Sequence, residues 1–414
     1  MKYSWGVSQK KRNYIVMWLV LLMLFSVNFF EFIPITRIIG QNGPFAFYML
    51  SLFFAFTFNR RAWIRDSLEW LKPLWWILAG IFLSFFPAYL YYGQSFVQSF
   101  FTYRRMLEFS AFPILIALRP TERELRHSLQ YFSVIFLLAS LFVTFVAPDW
   151  VKVEEGAPLI IGDDYLVNIP GIRLVFLGFV LSLGKLIKEN RAGTVIWTLF
   201  EFGILYLAQN RTSLLAFFVV IGLVIYTMRM GTNKLILMVI IGLAILFLLV
   251  FTANQWDLLY QETMDQIVNP EYNRNKALAY IALPREPLRY VLGDGFISLN
   301  VNPLMTNLQQ SGIFHSDIGL AGMWHQFGVI PVLTILVMTF RGLSRKKSFI
   351  VRSSAIYVLV GILTLSYFAL GESMLWLSIY LYMYYIDGSP SYVEQPRMRR
   401  TYTWGQVKYR SIVS

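Results

Sequence analysis

Residues 235–253 read LILMVIIGLAILFLLVFTA, a stretch without a single charge. As a helix it would be about 28 Å long, against a bilayer hydrocarbon core about 30 Å thick. Its apolar residues are continuous rather than alternating, which rejects a membrane β-strand. Inside lipid the backbone must satisfy its own hydrogen bonds, and a helix does so.

Working outward from that stretch, similar runs recur over most of the chain. Hydrophobic residues make up 57% of the 414 positions and charged residues only 14%. A soluble domain carries about 25% charged residues, and a single amphipathic core has no use for so many apolar runs. The expected fold is therefore all-α, a polytopic transmembrane bundle of 12 spans. These fall near 14–31, 40–58, 74–92, 100–118, 131–147, 172–188, 193–209, 212–228, 235–253, 318–340, 354–370 and 374–386. Lys10, Lys11 and Arg12 precede the first run as in a signal peptide, but Phe29, Phe30 and Glu31 follow with no small-residue cleavage pattern. The first run reads as a retained helix.

Charge fixes the orientation. With the N-terminus inside, 26 of the 36 Lys and Arg fall in inside segments and 8 outside, while Arg104 and Arg105 lie within a span. That bias is the positive-inside rule, so the +13 net charge is a topology signal and not a nucleic-acid signature. Both termini are then cytoplasmic, as an even span count requires. Residues 1–386 form one integral membrane domain with long outside loops near 148–171 and 254–317, the second between spans nine and ten. Residues 387–414 read as a basic cytoplasmic tail of disordered composition. The inside loops are too short for a catalytic domain. The absence of cysteine excludes disulfides and thiolate metal sites, and three histidines make no metal cage.

The cations left outside invite a functional reading. Arg211 lies in QNRTS, a tight turn at the outer boundary, where Thr212 or Ser213 can cap the next helix. A guanidinium beside a helix N-terminus is a good anion site, and its bland reading is a snorkelling interfacial side chain. Arg173, in NIPGIRLVF, has the same two readings. Arg274, Arg285 and Arg289 share the second long loop, where residues 273–283 are expected as an amphipathic helix lying on the membrane with its Arg toward headgroups. His315, in SGIFHSDIGL, precedes span ten, with Ser316 or Asp317 as the cap. The helix macrodipole disfavours its charged form there and leaves it able to accept a proton. His325 reads as a packed helix residue and His127 as a surface one. Glu201 is an intramembrane carboxylate and thus a functional candidate by default. Glu108 is expected to pair with Arg104 one helical turn earlier. Glu372, in the Gly-Glu-Ser break before the last span, is outside. Asp163 and Asp164 are two carboxylates without further ligands, a weak metal signal. Gly293–Phe296, GDGF, lacks the strand–helix context of a nucleotide loop and reads as a turn.

Taken together, these features resemble the O-antigen ligase and O-antigen polymerase family of bacterial polytopic membrane proteins. The likeness rests on the span count with both ends inside, on Arg211 opening an apolar helix, on an Arg segment leading from Arg274 to Gly293 and Gly295, and on His315 before a helix containing Gly328. It is sharpest over residues 205–330, although this chain has His315-Ser316-Asp317 where the family often has His-Asn, and Asn210-Arg211 where it often has Ser-Arg. The resemblance implies metal-independent, inverting glycosyl transfer, with no cofactor, on the outer face of the bacterial cytoplasmic membrane. The donor it implies is an undecaprenyl-pyrophosphate-linked glycan, and the acceptor is a glycan or lipid-core hydroxyl. Other polysaccharide-assembly membrane proteins would be partners, and nothing marks a lipopolysaccharide core, which leans the reading to polymerase. Arg173, Arg211, Arg274 and Arg289 would hold the pyrophosphate, His315 would take the acceptor's proton, and Asp317 and Glu201 would support. The expectation is that Arg211, Arg274 and His315 converge on one outward cavity with Arg173 close by. The alternative class is a secondary transporter or flippase of lipid-linked glycans, which would show repeated halves and midplane polar sites. Metal-dependent lipid-sugar transferases carry an acidic motif in the first outside loop, and here residues 32–43 contain no Asp or Glu.

Overall fold

The computed structural model describes residues 9–29, 43–55, 57, 71–146, 171–189, 191–207, 211–227, 242, 269, 273–297, 318–362 and 371–387. Among them the chain is all-helical, with no strand. In chain order the elements are α1 (Gln9–Ser26), α2 (Gly43–Ala55), α3 (Lys72–Leu83), α4 (Phe85–Tyr92), α5 (Phe96–Thr102), a 3-10 helix (Arg104–Ser110), α6 (Ala111–Leu118), α7 (Glu122–Phe145), α8 (Ile172–Lys188) and α9 (Ala192–Leu207). There follow α10 (Arg211–Thr227), α11 (Asn273–Ile281), α12 (Pro287–Leu292), α13 (Gly319–Phe327), α14 (Val329–Gly342), α15 (Phe349–Ile362) and α16 (Gly371–Ile386). The span expected at 235–253, the first outside loop, the Asp163–Asp164 pair and the tail from 388 lie outside the described residues.

Several boundaries differ from the apolar runs for local reasons. Helix α7 begins at Glu122 rather than 131, because the Thr121 hydroxyl and the Glu124 carboxylate form a reciprocal capping box that starts it within the charged segment. The fourth run is not one helix but α5, the 3-10 helix and α6 in series. A 3-10 helix brings residues three apart into line. No ion pair joins Glu108 to Arg104 among the described residues, so the expected one-turn pairing is not formed. The tenth run is broken at Gly328, whose φ of 75° ends α13 before α14 begins.

Helices α8 and α16 form the centre. From Ile172 to Gly184 and from Glu372 to Met383 every residue is buried. A helix that is apolar all round is covered all round. Phe176, Tyr357, Trp376 and Tyr380 stack in a column across α8, α15 and α16, with ring centroids 4.2, 5.0 and 6.0 Å apart. The Tyr380 hydroxyl donates to the Met338 carbonyl at 2.8 Å. Small residues set the close crossings. A Cβ on Gly80 of α3 would lie 2.3 Å from the Pro331 ring of α14.

Contacts between helix ends sort into two groups. At one end Tyr382 donates to the Pro120 carbonyl, Lys188 lies 3.6 Å from Glu122, and Lys347 donates to the Tyr384 carbonyl. At the other, Gly171 and Arg173 meet Glu372, and Tyr92 meets Arg289 and Asp294. The outward faces remain apolar: Tyr131, Leu138, Phe142 and Phe145 of α7 are exposed while Leu129, Phe132 and Phe136 are buried. Among the described residues two segments, Lys72–Tyr92 and Glu122–Val143, are long and apolar enough to cross a membrane.

Candidate functional site

The break at Gly328 builds the site. In a continuous helix the carbonyls of His325 and Gln326 would bond to the N–H groups of residues 329 and 330. Here they accept instead from Asp294 N and Gly295 N, both at 2.8 Å. The Gly-Asp-Gly segment after α12 is thereby laid against the last turn of α13. Both flanking glycines have positive φ, and a Cβ on Gly293 would fall 2.4 Å from Gly328 N. GDGF is therefore more than the turn expected from sequence: it is a docked segment with an acidic residue at its centre.

Asp294 is almost fully buried, and four side chains gather on its carboxylate. Arg289 donates from Nε to Oδ1 at 2.8 Å and from Nη2 to Oδ2 at 2.7 Å, a bidentate fork. The Tyr92 hydroxyl, at the end of α4, donates to Oδ2 at 3.0 Å and itself accepts from Arg289 Nη2 at 2.6 Å. His325 Nε2 lies 3.6 Å from Oδ2 and Arg285 Nη1 3.8 Å from Oδ1. Arg289 also donates from Nη1 to the exposed Glu286 at 3.0 Å. Its hydrogen bonds to Asp294 hold the Arg289 proton even more firmly than in a free guanidinium. The Tyr280 hydroxyl is pushed up, first by burial and then by the Asp294 charge.

Arg285 is different. Its side chain is 4% exposed, its guanidinium lies 4.7 Å from the Tyr290 ring and 5.9 Å from the Trp324 ring, and none of its three nitrogens donates a hydrogen bond among the described residues. Phe296 anchors the next step of the chain: its carbonyl accepts from Gln94 at 3.0 Å and its ring stacks on Tyr103 at 5.4 Å.

A second buried charge lies at the head of α8. The Glu372 carboxylate accepts from Gly171 N and Arg173 N. Arg173 is itself 6% exposed, and its charge acts on Tyr357, whose hydroxyl is 3.2 Å from Ser213 in the first turn of α10.

Of the residues singled out from sequence, Arg289 is at the centre of the first cluster and Arg173 of the second. Arg274 lies half-buried in the first turn of α11. That helix docks through Ala277 and Ile281 onto Ile318 and Ala321 beside α13, so it packs on protein where a membrane-lying helix was expected. Glu201 is fully buried in the middle of α9, its carboxylate over Gly178 of α8, and among the described residues no hydrogen bond or ion pair joins it to either cluster. The backbone of Arg211 opens α10, but its side chain lies outside the described residues, as do His315 and Asp317. Asp294, Tyr92 and His325 did not emerge from sequence as site residues, and Arg285 emerged only as one of a loop trio. The two glycines flanking Asp294 were the available signal.

Neither a comparison with models of known protein families nor one with curated proteins gives a match.

Proposed function

We propose that the chain is a multi-pass protein of the bacterial cytoplasmic membrane that polymerises or ligates undecaprenyl-pyrophosphate-linked glycan on the outer face. The membrane part of this reading is supported by the apolar outward faces, which water would disfavour and lipid tails accept. It is supported too by aromatic residues at both ends of one apolar segment, Trp75 and Trp76 at one and Tyr89 and Tyr91 at the other. The two groups of helix-end contacts agree with the orientation read from charge: Pro120, Glu122, Lys188 and Lys347 share the positive side, and Arg173, Arg289 and Glu372 share the other.

The observation that carries the catalytic reading is the pair of guanidiniums, Arg285 and Arg289, gathered in a buried site at the end where positive charge is scarce. Asp294 faces both and Glu286 pairs with Arg289 alone, so Arg285 is only partly compensated, and a buried cation in that state gains when a further anion joins it. A lipid-linked diphosphate at the membrane boundary is such an anion. In the proposed step the acceptor oxygen bonds to the anomeric carbon as the bond from that carbon to the diphosphate oxygen breaks. His315 takes the acceptor's proton, and undecaprenyl pyrophosphate leaves with the electron pair. One displacement inverts the anomeric centre. Arginines stabilise the charge growing on the leaving oxygen, each such bond being worth roughly 1.5–3 kcal/mol. Arg211, Arg173 and Arg274 are the further cations on this side.

Complementation tests it. Cells lacking the chain and supplied with His315→Ala or Arg211→Ala at normal membrane levels should lack mature glycan. Full glycan from both variants would remove the mechanism.

A further inference from the structure

The two arginines on Asp294 are not equivalent. We infer that Arg289 is a positioning strut, locked by Asp294 and Tyr92, and that Arg285 is the group that receives the anion. Arg289 has all three nitrogens engaged: Nε and Nη2 on Asp294, Nη2 also on Tyr92, and Nη1 on Glu286. Those bonds join α12 to α4 and to the Gly-Asp-Gly segment, which is structural work. An incoming anion would have to break that fork before it could use Arg289.

Arg285 stands beside the same carboxylate but spends none of its hydrogen bonds there. At 3.8 Å its contact with Asp294 is electrostatic only. A guanidinium has five N–H donors in a planar fork suited to phosphate oxygens. Burying them all unused is expensive. What holds the group in place is the pair of rings, Tyr290 and Trp324, packed against it. The Trp324 indole is itself fixed by donating to the Tyr290 carbonyl at 2.7 Å, and the residue is 38% exposed, so the wall beside Arg285 borders the surface. Asp294 cancels part of the charge, so the site holds its cation without a ligand and gains more when one arrives. The ligand class is a phosphate or diphosphate ester. This inference takes the outward site from the reading above, but it does not depend on glycosyl transfer.

The test is thermal unfolding of the full chain in phosphatidylcholine nanodiscs with inorganic pyrophosphate, and separately in nanodiscs containing phosphatidylglycerol without pyrophosphate. The unsubstituted chain should be stabilised in at least one arm, and that arm names the source of the anion. Arg285→Gln should keep the basal Tm within a few degrees and lose the stabilisation. Arg285→Lys, which keeps charge and loses the fork, should need at least tenfold more pyrophosphate for the same shift. Arg289→Gln should lower the basal Tm. Stabilisation of Arg285→Gln equal to that of the unsubstituted chain, or none in either arm for the unsubstituted chain, overturns the inference. If Arg285→Gln loses binding while His315→Ala and Arg211→Ala make full glycan, the anion site stands and the glycosyl-transfer reading falls. The opposite pattern reverses that outcome.

Discussion

Glu372, on the first turn of α16, grips the start of α8 with both carboxylate oxygens: Oε1 accepts from Arg173 N at 2.6 Å and Oε2 from Gly171 N at 3.0 Å. It satisfies N–H groups that no intrahelical carbonyl can reach, and it does so beside a buried arginine. One side chain therefore caps a central helix, compensates a charge and ties the two central helices together.

Removing it should be costly. Glu372→Ala leaves the N–H groups of Gly171 and Arg173 unmet at a buried helix start, and should destabilise by about 2–6 kcal/mol. Glu372→Gln keeps one acceptor and should cost less. Thermal unfolding in detergent checks both, and an unchanged Tm for Glu372→Ala would contradict the capping role.

Glycine positions offer a sharper contrast. A Cβ on Gly293 would meet the backbone of Gln326 and Gly328 at 2.4–2.5 Å, with φ at 79°. Gly293→Ala should undock the Asp294 segment and lower the Tm well beyond the cost of backbone strain. Gly93 has a similar φ of 68° but open space around it. Gly93→Ala should cost only the left-handed strain, about 1–2 kcal/mol. Equal losses at the two positions would show that the close approach at Gly293 is not what matters.

Glu286 gives a pH prediction. Its own backbone N–H and the Arg289 guanidinium hold its carboxyl below the usual glutamate value. The unfolded chain thus binds the proton more readily, so the pair's contribution is present above the ordinary glutamate pKa and is lost as pH falls through the lowered one. The group is fully exposed, so the effect is small. Glu286→Gln should leave the Tm at pH 7 nearly unchanged and slightly flatten its fall on acidification. A large loss at pH 7 would give Glu286 a structural role that its exposure denies.

The chain's lack of cysteine makes its topology directly measurable. Leu283→Cys, in the exposed turn after α11, should react with an impermeant maleimide added to intact spheroplasts. Ser344→Cys, in the exposed turn after α14, should react only after permeabilisation. Labelling of both from outside would break the orientation on which the functional reading stands.

Much of the helical framework was legible because burial in an apolar bundle needs only uninterrupted apolar runs: the run at 172–188 is α8 to the residue. Where local chemistry overrides hydropathy, the reading drifted. The Thr121–Glu124 cap starts α7 inside a charged segment, and the fourth run hides a 3-10 helix. Of the arginines singled out from sequence, Arg289 lies in the first cluster and Arg173 in the second. The centre of the first cluster was not legible, because beside the nearby Arg289 and Arg285 the Asp294 carboxylate is met by residues about 30 and 200 positions away, His325 and Tyr92, that folding brings to it. No local spacing encodes that meeting. Two glycines of positive φ around one carboxylate were the only trace.

The central claim is that the outward site releases a glycan from its diphosphate carrier. The most direct measurement is the mass profile of undecaprenyl-pyrophosphate-linked glycan extracted from cells that carry either the unsubstituted chain or His315→Ala at matched membrane levels. The account predicts that the variant accumulates unextended lipid-linked units while the unsubstituted chain consumes them. Identical profiles, with mature glycan in both, would contradict it.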